Sequence, residues 1–156
     1  MNKIKFLLLI VLTLNIQFKI YAKGDLTRQN PVEIQVKLLG KSGEKHFFSP
    51  SNIRLETGVL YKIKLINKSS SKHYFSSPKF SDAIFTRKIQ VVDKDKKIAE
   101  VKGHIKEVEV FPGFSVEWWL VPIKTGIFSD LNCRVKDQRI NKKHSEMGMV
   151  GIINIK

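Results

Sequence analysis

The sequence of 156 residues contains a single cysteine, Cys133, and none of the motifs that mark common enzyme sites. One thiol cannot form a disulfide within the chain, a CxxC redox pair, or a four-cysteine zinc or iron–sulfur site. There is no GxGxxG or GxxxxGK[ST] phosphate loop, no HExxH zinc helix and no GxSxG nucleophile turn. The paired His-x-His motifs of oxygen-reducing copper centres are also missing. We therefore expect a protein that is not itself an enzyme.

The chain has one long apolar run, at 6–14, and lysines interrupt every later one. Lys3 and Lys5 precede this run and Ala22 follows it, which is the layout of a secretory signal. The run is far shorter than the ~20 residues needed to cross a bilayer. We expect residues 1–22 to be a signal peptide that is cleaved after Ala22, and the protein to be exported to the periplasm. A membrane anchor is the weaker alternative.

Acidic residues are scarce: 14 of them face 28 lysines and arginines, which gives a formal net charge of +14. Loss of residues 1–22 would remove three lysines and no acidic residue, so the remainder is still strongly basic. No helical pattern carries basic residues along one face, and we expect no nucleic-acid partner. A lysine-rich solvated surface explains the charge most simply. It would also suit an acidic partner protein or an anionic membrane surface, whose attraction salt would weaken.

Beyond residue 30, apolar and polar residues alternate with the period of two that is typical of half-buried strands. The alternation is clear in 32–38, and it recurs in 61–66, 107–110 and 116–120. The predicted strands lie near 32–39, 45–48, 52–55, 59–66, 86–92, 97–102, 105–110, 114–121, 127–133 and 150–155, with a short helical turn in 79–85. Turn-forming residues separate them. This pattern predicts an all-β protein, a two-sheet Greek-key β-sandwich of ~7 to 8 strands, with residues 23–156 as one domain.

Side chains that bind soft metal ions gather toward the end of the chain. Cys133, His144 and Met149 offer a thiolate, an imidazole and a thioether, and His73 adds a second imidazole upstream. Copper uses this mixture, because Cu(I) favours sulfur, Cu(II) favours imidazole, and a His₂Cys site with a weak axial Met is the blue-copper arrangement. Cys133 ends one predicted strand, Met149 precedes the next, and His144 lies on the loop between them. We therefore expect one end of the sandwich to collect all four side chains around one mononuclear copper ion.

Other residues of the same types compete with this set. Met147 lies two residues before Met149 and is the alternative axial ligand. His46 follows Lys45 and precedes Phe47-Phe48, and His104 lies in the predicted turn 102–104; we expect both to be surface or turn residues. Trp118 and Trp119 are adjacent on a predicted strand, so their rings should face opposite sides of the sheet.

Several segments resemble the cupredoxins, in particular small exported bacterial members, from Pro31 to Lys156. The matching segments are Phe48-Ser49-Pro50 with Ile53 and Gly58, Asn67 followed by His73-Tyr74-Phe75, Pro112-Gly113 before Val116-Glu117-Trp118, Gly126-Ile127-Phe128 before Cys133, and 144–151. The last is the most specific, since it pairs His-x4-Met with a glycine before the methionine and an apolar strand after it. The resemblance implies His73 and His144 as imidazole ligands, Cys133 as the thiolate and Met149 as the axial thioether.

The sequence departs from this resemblance between Cys133 and His144, where the basic, polar segment 134–143 is inserted. A surface loop of this length would loosen the site. The favoured hypothesis is one-electron transfer between larger partners such as a cytochrome. The alternative is a copper carrier, or a component of a metal-uptake system that contacts a metal-transport protein, without redox cycling; a mobile insert would help it hand over the metal. A third hypothesis is a structural sandwich that binds no metal.

Overall fold

The computed structural model describes residues 29–94 and 96–156, which fold into two β-sheets packed face to face. The strands are β1 (Val32–Gly40), β2 (His46–Ser49), β3 (Asn52–Leu55), β4 (Tyr61–Asn67), β5 (His73–Ser76), β6 (Ile84–Asp93), β7 (Lys96–Val101), β8 (Glu107–Val110), β9 (Ser115–Pro122), β10 (Gly126–Asn132) and β11 (Val150–Ile155). One helical turn, α1 (Pro78–Ser81), and a 3₁₀ helix (His144–Met147) complete the elements of these residues. The prediction of an all-β, two-sheet sandwich is confirmed.

The two sheets are mixed. The larger has the order β2-β1-β4-β9-β6-β7 and the smaller the order β3-β11-β10-β5-β8. β1 runs parallel to β4, and β11 runs parallel to β3, while the other pairs are antiparallel. The described residues form eleven strands, more than the ~7 to 8 expected for a two-sheet sandwich. The strand missing from the sequence prediction is β5.

The core lies between the sheets and follows the predicted alternation. Tyr61, Ile63 and Leu65 of β4 are buried, and the residues between them are half-buried. Trp118 of β9 fills the centre, with its ring edge-on to those of Phe75 and Phe80 at 6.2 and 6.0 Å between centroids. Burial of one such large side chain contributes about 1.5–3 kcal/mol. This core holds the sheets at a fixed separation.

Trp119 confirms the expectation that adjacent tryptophans on a strand face opposite sides. Its ring lies on the outer face of the larger sheet, with the Lys88 ammonium 4.7 Å from the ring centroid. The Lys62 ammonium is 5.7 Å from the same centroid. Such contacts are ordinary cation–π packing on a solvated sheet face.

One end of the sandwich brings together residues that are distant in sequence. β2 begins at His46, β5 begins at His73, and β10 ends immediately before Cys133. β11 begins immediately after Met149. The predicted placement of Cys133 and Met149 beside strand ends is therefore confirmed, although His73 starts a strand rather than lying in a loop.

Among the residues that the structure describes, no helix is long and apolar enough to span a membrane. The predicted signal peptide, residues 1–22, lies outside the described residues.

Candidate metal centre

Three of the four predicted ligand side chains converge at this end of the sandwich. The Nδ1 atoms of His73 and His144 are 3.1 Å apart. Cys133 Sγ lies 3.6 Å from Nδ1 of His144 and 3.8 Å from Nδ1 of His73. All three residues are at most 1% exposed. The fold thus presents two imidazole nitrogens and one sulfur to a common point in a buried setting.

The spacing of these three atoms fits a single first-row metal ion. A point equidistant from three atoms at such separations lies about 2.0 Å from each, and metal–nitrogen and metal–sulfur bonds to zinc measure about 2.0–2.1 and 2.3 Å. The donor types then select among metals of similar size. A thiolate with two imidazoles suits copper, since sulfur favours Cu(I) and imidazole favours Cu(II).

Met149 is attached to both neighbouring ligands through its backbone. Its N–H donates to the carbonyl of His144 at 2.9 Å, and its carbonyl accepts the N–H of Cys133 at 3.1 Å. The Met149 side chain is fully buried, whereas Met147 is only half-buried in the 3₁₀ helix. Burial therefore favours Met149 over Met147 as the axial candidate.

The Cys133 sulfur is held by backbone N–H groups. The Tyr74 N–H donates to Sγ at 3.3 Å, and the Val135 N–H makes a second such contact. Burial raises the pKa of the Cys133 thiol, while these two N–H groups oppose the rise. Since only the thiolate is a metal ligand, binding of a metal displaces the thiol proton and offsets this cost of burial.

His73 is oriented by the loop that precedes it. Its Nε2 lies 2.7 Å from Ser69 Oγ, and that hydroxyl can donate its own proton to Asn67 Oδ1 or to the Ser71 carbonyl, each at 2.9 Å. Ser69 therefore accepts from Nε2–H, and Nδ1 is left bare toward the centre. Burial lowers the pKa of His73 to about 3, with smaller contributions from His144 and His46. The imidazole is neutral at pH 7, as a metal ligand must be.

His144 is positioned by the turn in which it lies. Its N–H donates to the Val135 carbonyl at 2.8 Å, and the 3₁₀ helix that it starts ends at Gly148, whose φ of 104° is readily adopted by glycine. Burial lowers the pKa of His144 to about 4; His46 lowers it further and Asp137 opposes the change. This imidazole is also neutral at pH 7.

His46 was expected at the surface, and that expectation is wrong. The side chain is fully buried, and its ring stacks on that of His144 with 3.6 Å between centroids and 15° between planes. Gly40, the cross-strand partner of His46, leaves room for the ring, because a Cβ there would lie 2.1 Å from its Nδ1. The alternation of His46 with Phe48 on β2, both buried, is the sequence signal that could have revealed it. His104, by contrast, is exposed as expected.

The inserted segment 134–143 was expected to be a loose surface loop, and the structure shows a hydrogen-bonded hairpin. Lys136 pairs with Lys143, and the Asp137 N–H donates to the Lys142 carbonyl at 2.8 Å. Asp137 itself is 3% exposed. Its carboxylate accepts the N–H groups of Gly43 at 3.0 Å and Arg139 at 2.8 Å, and its Oδ2 lies 3.4 Å from Nε2 of His46. The insert is therefore attached to the β1–β2 turn and to the residue that stacks on His144.

Solved structures with a similar fold include domains of several copper enzymes. The chain is similar to a copper-containing nitrite reductase from Thermus scotoductus SA-01, with a TM-score of 0.59, 14% identity, and coverage of 82% of this chain and 32% of that one. It is similar to a copper nitrite reductase from Nitrosomonas europaea, with a TM-score of 0.58, 10% identity, and coverage of 86% and 52%. A multicopper oxidase from Campylobacter jejuni matches with a TM-score of 0.52, 16% identity, and coverage of 82% and 31%.

The described residues form a cupredoxin-like domain, as the resemblance implied. The chain spans between about a third and a half of the enzymes that it matches, so the likeness concerns one domain of each. No protein-family model and no curated protein matches this sequence. These likenesses concern the fold, and the two histidines and the cysteine at one end of it form the candidate metal site.

Proposed function

We propose that this protein is exported, binds one copper ion through His73, Cys133, His144 and Met149, and transfers single electrons between larger proteins. The observation that carries the proposal is the mutual spacing of the two Nδ1 atoms and the Cys133 sulfur, which lie within 3.8 Å of one another. Copper would supply the redox chemistry by cycling between Cu(I) and Cu(II). The chain supplies the donor atoms, their orientation and their separation from water.

Burial supports electron transfer rather than bond-making catalysis. The four side chains are at most 1% exposed, so a substrate has little room to reach an ion that they bind. Three of the four residues are also hydrogen-bonded to their surroundings: Nε2 of His73 to Ser69, the Cys133 sulfur to the Tyr74 N–H, and the His144 backbone N–H to the Val135 carbonyl. Donors already held at bonding separations move little when the charge of the ion changes, which favours rapid electron exchange.

The hydrogen-bonded insert removes the reason for preferring a copper carrier. That alternative depended on a mobile segment between Cys133 and His144, and the segment is instead a hairpin with a buried aspartate. We therefore favour redox cycling over metal delivery.

An absorption spectrum of the purified protein with stoichiometric Cu(II) tests the proposal. A copper–thiolate bond should give an intense visible band, and Cys133→Ala should abolish it. Met149→Leu should shift the band, whereas Met147→Leu, the matched control, should leave it unchanged. A wild-type protein that stays colourless under oxidising conditions would contradict the proposal.

We further propose an acidic redox partner. A pocket of about 260 Å³ borders His144, and its charged lining consists of two lysines, Lys72 and Lys136, and one acid, Asp137. After loss of residues 1–22 the chain keeps 25 basic and 14 acidic residues, a net charge of +11, so association with an acidic cytochrome should be fast at low ionic strength and slower as salt is added. Stopped-flow electron exchange at increasing ionic strength measures this, and a rate that does not change with salt would contradict an acidic partner.

A further inference from the structure

His46 is a third histidine of the same end of the sandwich, and the resemblance to cupredoxins gives it no role. Nitrogen atoms of His46, His73 and His144 all lie within 4.8 Å of one another, which by distance alone would suit a three-imidazole site. The His46 ring also lies edge-on to that of His73, with 5.3 Å between centroids. The question is whether His46 binds the ion or acts on the residues that do.

Ring geometry decides against ligation. The lone pair of an imidazole nitrogen lies in the plane of its ring, so a bound ion lies near that plane. The His46 and His144 rings are stacked at 3.6 Å and are only 15° from parallel. An ion in the plane of His144 therefore lies well outside the plane of His46. In this arrangement His46 covers one face of His144 and does not share its ion.

The other side of His46 faces Asp137. The separation of 3.4 Å between His46 Nε2 and Asp137 Oδ2 requires a proton on Nε2, because two lone-pair atoms would otherwise face each other. Nδ1 of His46 is buried and has no hydrogen-bond partner among the described residues. The ring therefore has one polar attachment, and it is to a carboxylate that the insert carries.

Backbone hydrogen bonds fix the Asp137 carboxylate in position and keep it ionised. Burial raises the pKa of the Asp137 carboxyl, but the N–H groups of Gly43 and Arg139 outweigh that effect and hold the pKa below its ordinary value. The carboxylate is thus ionised at pH 7 and lies one imidazole ring away from His144. A fixed negative charge at this distance stabilises a doubly charged ion more than a singly charged one, because the attraction scales with the charge.

We propose that His46 and Asp137 are positioning residues for the metal centre: the stacked His46 ring fixes the plane of His144, and the Asp137 charge behind it favours Cu(II) over Cu(I). The inference rests on the proposed copper site. It also gives the segment 134–143 a function, since that segment brings Asp137 to His46. Outer partners of metal ligands commonly change affinity by about 10–100-fold when they are removed.

The test compares Cu(II) and Cu(I) dissociation constants, measured by competition with chromophoric chelators. Asp137→Asn should weaken Cu(II) binding about 10–100-fold and Cu(I) binding less. His46→Gln removes the stacked ring and should weaken the binding of both ions. The matched controls are Asp82→Asn and His104→Gln, since Asp82 and His104 form an exposed pair with 3.1 Å between Oδ1 and Nε2. Both controls should bind both ions as the wild type does.

The ratio of the Cu(II) and Cu(I) affinities separates this role from general support of the fold, because a loss of general support would weaken the binding of both ions equally. A folded Asp137→Asn protein with the wild-type ratio overturns the inference. If the wild type shows the Cys133-dependent colour and the Asp137→Asn and His46→Gln variants bind Cu(II) and Cu(I) with its dissociation constants, only this inference fails. If the wild type binds no copper, the proposed function fails first.

A measurement on the wild type decides the matter if the variants do not fold. In ¹⁵N-labelled protein, His46 should carry its proton on Nε2, and its ring resonances should shift when Cu(I) is added. The His104 resonances should stay in place. An unprotonated Nε2 on His46, or ring resonances that do not respond to Cu(I), overturns the inference.

Discussion

A single residue decides which nitrogen of His73 is available to a metal ion. Ser69 accepts from Nε2 of His73, and this contact leaves Nδ1 as the free donor atom. The hydroxyl in turn is fixed by Asn67 and by the Ser71 backbone. The Ser69 hydroxyl therefore sets the tautomer of His73. A metal ion would need the tautomer whose Nδ1 carries no proton.

Ser69→Ala should lower copper affinity about 10-fold, because the His73 ring loses the acceptor that orients it. Competition with a copper chelator measures the change. Ser70→Ala is the matched control, since Ser70 is the exposed neighbour in the same loop, and it should bind copper as the wild type does. Equal affinities for the two variants would contradict the role assigned to Ser69.

Among the elements, the connection from β4 to β5 depends on one amide. Nδ2 of Asn67 donates to the carbonyls of Ser71 and Val110, both at 2.8 Å. Oδ1 accepts the Ser69 N–H at 2.9 Å. Asn67 thereby joins its own loop to β8, the strand that pairs with β5 in register His73 to Val110. The position of His73 therefore depends on the whole segment 67–73 and on its pairing with β8.

Asn67→Ala should lower the free energy of unfolding by about 1–3 kcal/mol, because it leaves buried backbone groups unpaired. It should also weaken copper binding, since Ser69 and His73 lose their support. Chemical denaturation and chelator competition measure the two effects. Asn132→Ala serves as the control for stability, because the Asn132 side-chain amide donates to the carbonyl of Asp130, a local contact two residues away. A loss of stability no larger than that of the control would contradict the account.

For the whole molecule, the buried histidines make stability depend on pH. The pKa values of His73 and His144 are lowered to about 3 and about 4 in the folded protein. Unfolded histidines have a pKa near ~6.5. Between these values the unfolded chain binds protons that the folded chain does not, so stability falls as the pH falls from ~6.5 toward 4. At neutral pH the same two residues impose no such penalty.

Denaturation of the metal-free protein with urea at pH 7, 6 and 5 should show this decline. The His73→Gln, His144→Gln double variant should show a shallower dependence over the same range, because it lacks the two groups that gain protons on unfolding. Stability that stays constant from pH 7 to pH 5 in the wild type would contradict neutral, buried imidazoles.

The sequence predicts the sandwich because its strands alternate, as β4 and β8 do, and alternation is a local property. It also directs attention to Cys133, His144 and Met149, which lie within 17 positions of one another and beside strand ends. Their convergence with His73 follows from the two-sheet topology. In these cases local pattern and global fold agree.

The sequence does not reveal the roles of His46, Asp137 or β5. His46 contacts a residue 91 positions away, and its burial depends on the absence of a side chain at Gly40 on the neighbouring strand. β5 lies between the serines of 69–71 and those of 76–77, and three of its four residues, His73, Phe75 and Ser76, are buried, so no regular period of two marks it. The roles of His46 and Asp137 depend on long-range contacts that leave no periodic trace in the sequence, although the alternation of His46 with Phe48 could have indicated that His46 is buried.

Anomalous diffraction from crystals of the copper-loaded protein tests the central claim most directly. The account predicts one strong copper peak, about 2.0–2.3 Å from Nδ1 of His73, Nδ1 of His144 and Sγ of Cys133. A copper peak only at surface sites such as the His104–Asp82 pair, with these three atoms left unbound, would contradict it.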